Sequence, residues 1–395
     1  MGVVMPIKTK IVETDDKLKF ARMMEVYVRS KVLITPRRVL SASQNRFYDE
    51  TILRGRDKRG FVEIYRRIDR ESLLRIMVDK SRELILNYMF SSLLRKAGDD
   101  VTIGVVECDF GGDIPNERET EVLFHISNHS QLDILVPPIM RRTPVKKYIE
   151  FLENFVEIYQ ACSFHSALVP VIPHYSINDI SRLFEYYVKK DEFDKNFICV
   201  DFNGGNPISQ FSLVSFILHE TQKIEEEFKE PCARYAINLK YGKATKKQAV
   251  VPAKDLAIFT MGFNLFGSNH RMVPILDGVG DYELRTKILN RIDYGYYNIE
   301  AARASMTDMG DYEVRLRDVL RDKKLARIFN AERHALEALE ISMAIRENRL
   351  VEYIESKPIL VKDPFVLKRI YKVNESIPKE TLLKFFGKDP REPGF

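Results

Sequence analysis

The chain has 395 residues, 45% apolar and 30% charged, enough to bury one large barrel core with appendages or two domains. Its net charge of +5 and pI near 8.8 permit a nucleic-acid partner without demanding one. Membrane spanning is excluded on the expectation that a span needs roughly 18 consecutive apolar residues; residues 1–6 carry no signal-peptide pattern, and the well-separated Cys108, Cys162, Cys199 and Cys232 suit a reducing cytoplasm.

In chain order, residues 31–36 read as a strand, and the Arg-rich stretch 54–70 reads as a solvated surface. A long helix is expected over 71–96, with Leu73, Leu74, Ile76, Met77, Leu84 and Met89 on its apolar side. Residues 101–106 and 122–126 read as buried strands. Thr143-Pro144 then opens a helix whose stripe runs through Tyr148, Leu152, Phe155 and Tyr159. A strand at 167–172, a helix around Ile180 to Val188, a strand at 196–200, a helix at 209–228 and a strand at 234–239 continue the alternation. Pro252 suits the first turn of a helix carrying Leu256, Phe259 and Phe263, with Gly262 as its left-handed end. Residues 263–266 form a short apolar run, 293–297 a loop or barrel tail, and 318–355 one or two helices.

Apolar strands alternating with amphipathic helices predict an α/β fold, a (β/α)8 TIM-type barrel with an N-terminal extension and C-terminal helices. The expected division is 1–100 as an extension with a long helix, outside the barrel or part of it. A core follows over 101–305, then a helical segment and tail over 306–395, the end of which is an appendage or a partner-binding segment. No Gly-x-Gly-x-x-Gly opens a helix after the first strand, which argues against a dinucleotide fold.

In a barrel the strand carboxyl ends carry the site. By this reading they supply Asn128, His129 and Asp133; Pro173 and His174; Asp201 and Asn203 to Gly205; Asn238 and Lys240; and Asn264 with Ser268 to Arg271. Amides, carboxylates and imidazoles suit the alternating donors and acceptors of a purine-like base. Gly204-Gly205 after a strand either lets a ligand approach the backbone closely or makes an ordinary turn, and Asp133 is either a site carboxylate or a helix cap. His125 and His129 lie four apart but in a segment read as strand and turn, so no metal pair is expected there.

The segment Pro252-Ala253-Lys254-Asp255-Leu256, followed by Gly262-Phe263-Asn264-Leu265-Phe266-Gly267, resembles the tRNA-guanine transglycosylase superfamily, of archaeal, queuine or DNA-guanine type. Members of that family carry a Gly-x-Asp-hydrophobic-Phe-Asp strand whose last aspartate is the covalent nucleophile; here that position is Gly267. Gly204-Gly205 resembles the family's base-contacting glycines. Leu132-Asp133-Ile134, with Pro137-Pro138 after it, resembles its base-recognition segment, and Asp109-Phe110-Gly111-Gly112 resembles its acid/base aspartate motif. The likeness covers about 122–354. It implies a pentosyltransferase exchanging guanine for a 7-deazaguanine derivative in tRNA or DNA, with Asp133 or Asp201 replacing the missing nucleophile. Asp109, Asn203, Gly204, Gly205, Asn238, Lys240 and Asn264 would bind the base, and His270 and Arg271 would meet nucleic acid. The family's zinc uses three cysteines and a later histidine; His334 resembles the histidine, but no cysteine follows Cys232, so neither metal nor cofactor is expected. Because Gly267 removes the usual nucleophile, two other readings stand beside base exchange. One is a non-catalytic relative that binds nucleic acid or partners a catalytic subunit, in a homo- or hetero-oligomer. The other is a barrel lyase or hydrolase acting on a small metabolite.

Overall fold

The structure, a computed structural model, describes residues 6–42, 44, 60–79, 91, 93–94, 97, 99–129, 131–162, 166–242, 248–271, 287–306 and 316–375. Most of the Arg-rich stretch before Gly60, most of 80–96, Lys247 and the tail beyond 375 lie outside the described residues.

Strands β1 (Lys8–Thr14), β2 (Arg22–Val28) and β3 (Lys31–Thr35) form an antiparallel sheet. A second, parallel sheet begins at β4 (Arg37–Ser41) and β5 (Phe61–Asp69). It continues through β6 (Val101–Asp109), β7 (Ile134–Leu135), β8 (Ile139–Met140), β9 (Ala167–Leu168), β10 (Val171–Ile172), β11 (Phe197–Asp201) and β12 (Ala233–Ile237). β13 (Val250–Pro252) leaves it, and β14 (Leu265–Phe266) returns to it. The strand order is β10-β11-β12-β14-β4-β5-β6-β7-β9, with β8 also on β6, and every pairing is parallel. β14 pairs back to β4 through Leu265 and Arg37. The two ends of the path, β9 and β10, are separated in the chain only by Val169 and Pro170. Val169 N–H donates to Leu135 C=O (3.0 Å), and Pro170 C=O accepts from Cys199 N–H (2.9 Å). The result is a mixed α/β molecule with a curled parallel sheet.

Helices Arg70–Val78, Glu117–Ser127, Val145–Ala161, Ile177–Lys189 and Phe211–Phe228 connect successive strands. Each buries one stripe; in Val145–Ala161 it is Tyr148, Phe151, Leu152, Phe155, Val156 and Tyr159, four of them aromatic. Such stripes cover the sheet because near-continuous apolar strands need both faces shielded from water. Lys323–Arg346 packs against β4. β15 (Ile288–Asn290) and β16 (Gly295–Tyr297) join β13 in a small antiparallel sheet.

Three local expectations are corrected. Residues 122–126 belong to the Glu117–Ser127 helix, which opens with a reciprocal cap: Glu119 N–H donates to Asn116 Oδ1, and Asn116 N–H donates to Glu119 Oε2 (2.9 Å each). The expected 71–96 helix stops at Asp79, whose backbone turns to extended geometry. Pro252 lies at the end of β13 rather than in a helix, and only a 3-10 turn, Leu256–Ile258, remains of that helix before Gly262 at φ 89°. On the question left open for the first hundred residues, the parallel sheet starts at Arg37 and takes two of its strands from them.

Candidate functional site at the strand carboxyl ends

The two ends of the parallel sheet differ in kind. The β1–β3 sheet closes the amino ends: Ile7 N–H donates to Asp194, Thr9 to Pro231 C=O, Arg29 to Leu132 C=O and Lys31 to Asp133, while Asn264 donates to Arg22 C=O. Each acceptor or donor on the parallel side stands just before a strand. Asp133 belongs to this end. Its Oδ2 accepts from Thr102 N–H (2.9 Å) and Lys31 Nζ (2.8 Å), and Arg29 Nη1 lies 3.2 Å from Oδ1. Asn264 is there too, its Oδ1 accepting from Arg234 N–H (3.1 Å). These two expected site residues are therefore separated from the rest by the length of the strands.

A buried polar cluster gathers around the carboxyl ends of β11, β12 and β14, with side chains from within β5 and from near the end of β6. Glu63 of β5, Glu107 of β6 and Asp201 of β11 are 0, 1 and 1% exposed. In β5 the side of Glu63 and Tyr65 alternates with Val62 and Ile64, as a pleated strand requires. Glu63 Oε1 accepts from Ser268 N–H (2.7 Å) and lies 2.9 Å from His270 Nε2, while Oε2 accepts from Tyr235 Oη. Glu107 Oε2 accepts from Tyr65 Oη and lies 2.6 Å from Arg271 Nη1. Asp201 Oδ1 accepts from Asn203 N–H (2.8 Å) and Asn238 Nδ2 (2.9 Å), and Oδ2 accepts from Arg271 Nη2 (2.6 Å). The His270 ring stacks on Tyr65 with centroids 3.9 Å apart at 6°. Arg38 stands behind this group: it donates to Ser268 Oγ (3.0 Å), Tyr241 Oη (3.2 Å) and Phe266 C=O (2.5 Å).

Burial pushes the Glu63 carboxyl upward, but the neighbouring His270, Arg38 and the Tyr235 hydroxyl outweigh it and leave it below the usual glutamate range. Glu63 is thus held below the usual glutamate range although its own side chain is fully buried. Burial, reinforced by Glu107, keeps the Tyr65 phenol strongly protonated, so it serves as a donor. The cluster can bind and orient a polar ligand, and it offers a desolvated carboxylate able to act on an electrophilic centre.

Gly267 sits directly against that carboxylate. A Cβ added there would meet Glu63 Oε2 and Tyr235 Oη, each at 2.7 Å. Any side chain at 267 would displace one of them, so the space at this strand end is already filled by a carboxylate from β5.

Of the other expected residues, Asp201, Asn238, His270 and Arg271 come together in the cluster. His270 and Arg271 turn inward onto Glu63, Glu107 and Asp201. Asp109 lies at the end of β6, on the rim, bound by Arg142 and near Arg67 (3.4 Å). The N–H groups of Gly204 and Gly205 are spent on Asn238 C=O (2.8 Å) and Phe202 C=O (2.7 Å); with Asn203 at φ 49° and Gly204 at φ 78°, they form a tight turn. Lys240 and Asn203 are exposed, as are His125 and His174, and Asn128 and His129 end a helix. Glu63, Tyr65, Glu107, Arg38 and Tyr235 were missed. Glu63 and Tyr65 fell in a stretch read as Arg-rich surface, although a carboxylate in the apolar alternation Phe61 to Ile64 signals a buried acid. Glu107 lies just past the expected end of the 101–106 strand.

A second buried group lies behind β14. Tyr296 Oη donates to Asp255 Oδ2 (2.6 Å) and lies 2.7 Å from His334 Nε2. Burial raises Asp255 to about 6 and, with Arg38, lowers His334 well below its usual value. His334 is therefore engaged with a phenol and a carboxylate. Among the described residues no group of three or more His, Cys, Asp or Glu side chains has metal-holding geometry, and no helix among them is long and apolar enough to cross a membrane.

Fold and site together define an α/β protein with a preorganised, charged site at the carboxyl ends of a curled parallel sheet. No protein-family model matches the chain, and no curated protein matches it.

Proposed function

We propose that the chain is a base-exchanging glycosyl-transfer enzyme of tRNA-guanine transglycosylase type, replacing guanine in tRNA or DNA by a 7-deazaguanine-type base. In this reading the curled sheet works as a (β/α)8 barrel whose two ends meet at residues 167–172. The observation that carries the reading is the Glu63 carboxylate standing 2.7 Å from the place a Gly267 side chain would begin. The acid missing from the last strand is thereby supplied by β5.

Glu63 Oε2 would bond to C1′ of the sugar as the C1′–N9 bond to guanine breaks and guanine leaves with a proton on N9. The incoming base, giving up its own N9 proton, would then bond to C1′ and release Glu63. Two displacements restore the original configuration. His270, 2.9 Å from Glu63 Oε1, is the group placed to relay the proton.

The test is incorporation of labelled guanine into unmodified tRNA and into DNA. Glu63→Gln is expected to lower it by at least about a hundredfold, the scale of losing a chemical group, and Asp201→Asn to lower it similarly. Asp133→Asn, at the opposite end of the strands, is expected to alter stability rather than exchange. Full exchange in Glu63→Gln would remove Glu63 from the chemistry. A wild-type protein that binds nucleic acid and exchanges nothing would leave the non-catalytic reading, which one observation favours: Arg271 already bridges Glu107 and Asp201 within the site.

A further inference from the structure

Arg271 differs from the other groups of the cluster in how poorly it is satisfied. Its guanidinium spans two carboxylates, with Nη1 2.6 Å from Glu107 Oε2 and Nη2 2.6 Å from Asp201 Oδ2. Among the described residues, however, Nε and Nη1 make no aligned hydrogen bond although both atoms are buried. The stem crosses Gly204, where an added Cβ would lie 3.7 Å from Arg271 Cγ. Both carboxylates are otherwise fixed: Tyr65 Oη holds Glu107, while Asn203 N–H and Asn238 Nδ2 hold Asp201. If the guanidinium leaves, the carboxylates stay where they are. Among the described residues Glu107 would keep the Tyr65 hydroxyl and, as cation partners, Arg141 and Arg67 at 3.6 and 3.7 Å. Asp201 would retain no cation partner among the described residues.

A guanidinium shares its pattern of planar, adjacent N–H donors with cyclic guanidines and amidines, including the N1–H and 2-amino edge of guanine. We infer that Arg271 is a built-in occupant of a two-carboxylate pocket for planar guanidine- or amidine-edged ligands, and that such a ligand enters by displacing it. The site is self-occupied when empty of ligand, and Arg271 sets its apparent affinity by competing from within the chain. The inference concerns binding only and does not depend on base exchange.

Two measurements test it. In the first, Arg271→Ala is titrated with millimolar methylguanidinium and, separately, with methylammonium, following thermal unfolding. Methylguanidinium is expected to raise the melting temperature of the variant but not of the wild type, and methylammonium to do much less, since it carries the charge without the planar donors. A folded Arg271→Ala protein indifferent to methylguanidinium, or equally responsive to both, overturns the inference. In the second, which uses the wild-type protein and so survives a variant that fails to fold, phenylglyoxal modification of Arg271 is mapped by peptide mass spectrometry with and without saturating guanine. Displacement predicts a severalfold rise in Arg271 modification with guanine. No change, or protection, overturns it. Success in both with no exchange activity would retire the transglycosylase reading and leave the pocket standing.

Discussion

At the scale of single residues, two buried acids with opposite shifts make the clearest statements. Glu63 is held below the usual glutamate range by His270, Arg38 and the Tyr235 hydroxyl, whereas Asp255 has Tyr296 and His334 for company and burial raises it to about 6. Because its folded value lies above its unfolded one, near 3.8, the native state holds the extra proton between them. Stability is fully present below about pH 4 and is lost as pH rises toward 6, by about 3 kcal/mol if each unit is worth 1.36 kcal/mol. Asp255→Asn is expected to remove this dependence, so its stability relative to wild type should rise across the window when both are unfolded in urea from pH 4 to 7. Asp194, also raised to about 6, contributes equally to both proteins and cancels in the difference. A difference that stays constant with pH would dispose of the assignment. His334, the residue likened to a zinc ligand, contacts Tyr296 and Asp255, and elemental analysis of the purified protein is expected to find far less than one zinc per chain. Stoichiometric zinc lost in His334→Ala would reverse that.

At the scale of elements, Arg234 shows what joins strand to helix. It is fully buried in β12, donating to Glu225 (2.8 Å) and Thr221 (2.8 Å) of the Phe211–Phe228 helix and to Gly262 C=O (3.0 Å). Desolvation lowers its pKa while Glu225 opposes that. Arg234→Met leaves Glu225 with Arg22 and the Cys232 N–H among the described residues and is expected to cost about 3–5 kcal/mol in urea unfolding, the range for breaking a buried pair from one side. Arg234→Met with Glu225→Leu should cost less than the sum of the two single changes, because no buried charge is stranded. Strict additivity would show that the pair is not coupled. The same scale separates what was legible from what was not. Val145–Ala161 and Ile177–Lys189 announce themselves by aromatic and aliphatic stripes at helical spacing. Val122 to Ile126 looks like a strand from its own residues, and only the Asn116 and Glu119 cap upstream marks it as helix. That single misreading carried Asp133 to the wrong end of the sheet, since it made a helix end look like a strand end.

At the scale of the whole molecule, closing the amino ends of the strands with β1–β3 leaves the carboxyl ends as the face for a ligand. With a net charge of +5, the transglycosylase reading proposed above predicts that tRNA or DNA binds with strongly salt-dependent affinity. An anisotropy titration should weaken steeply between about 50 and 200 mM salt. No binding at low salt would remove the nucleic-acid reading altogether.

The alternation of apolar strands with amphipathic helices, a local property of pattern and period, was in the sequence, as were the strand-end Asp201, Asn238, His270 and Arg271. The partnership of Glu63 with Gly267 was not. These positions lie far apart in the chain, and they meet because β14 pairs with β4 and β4 with β5, so that a side chain two strands away fills the space a glycine leaves open. Hydrophobic period determines which residues turn inward. Only the order and register of the strands decide which inward-facing charges share one site, because that depends on which distant segments the curled sheet brings side by side.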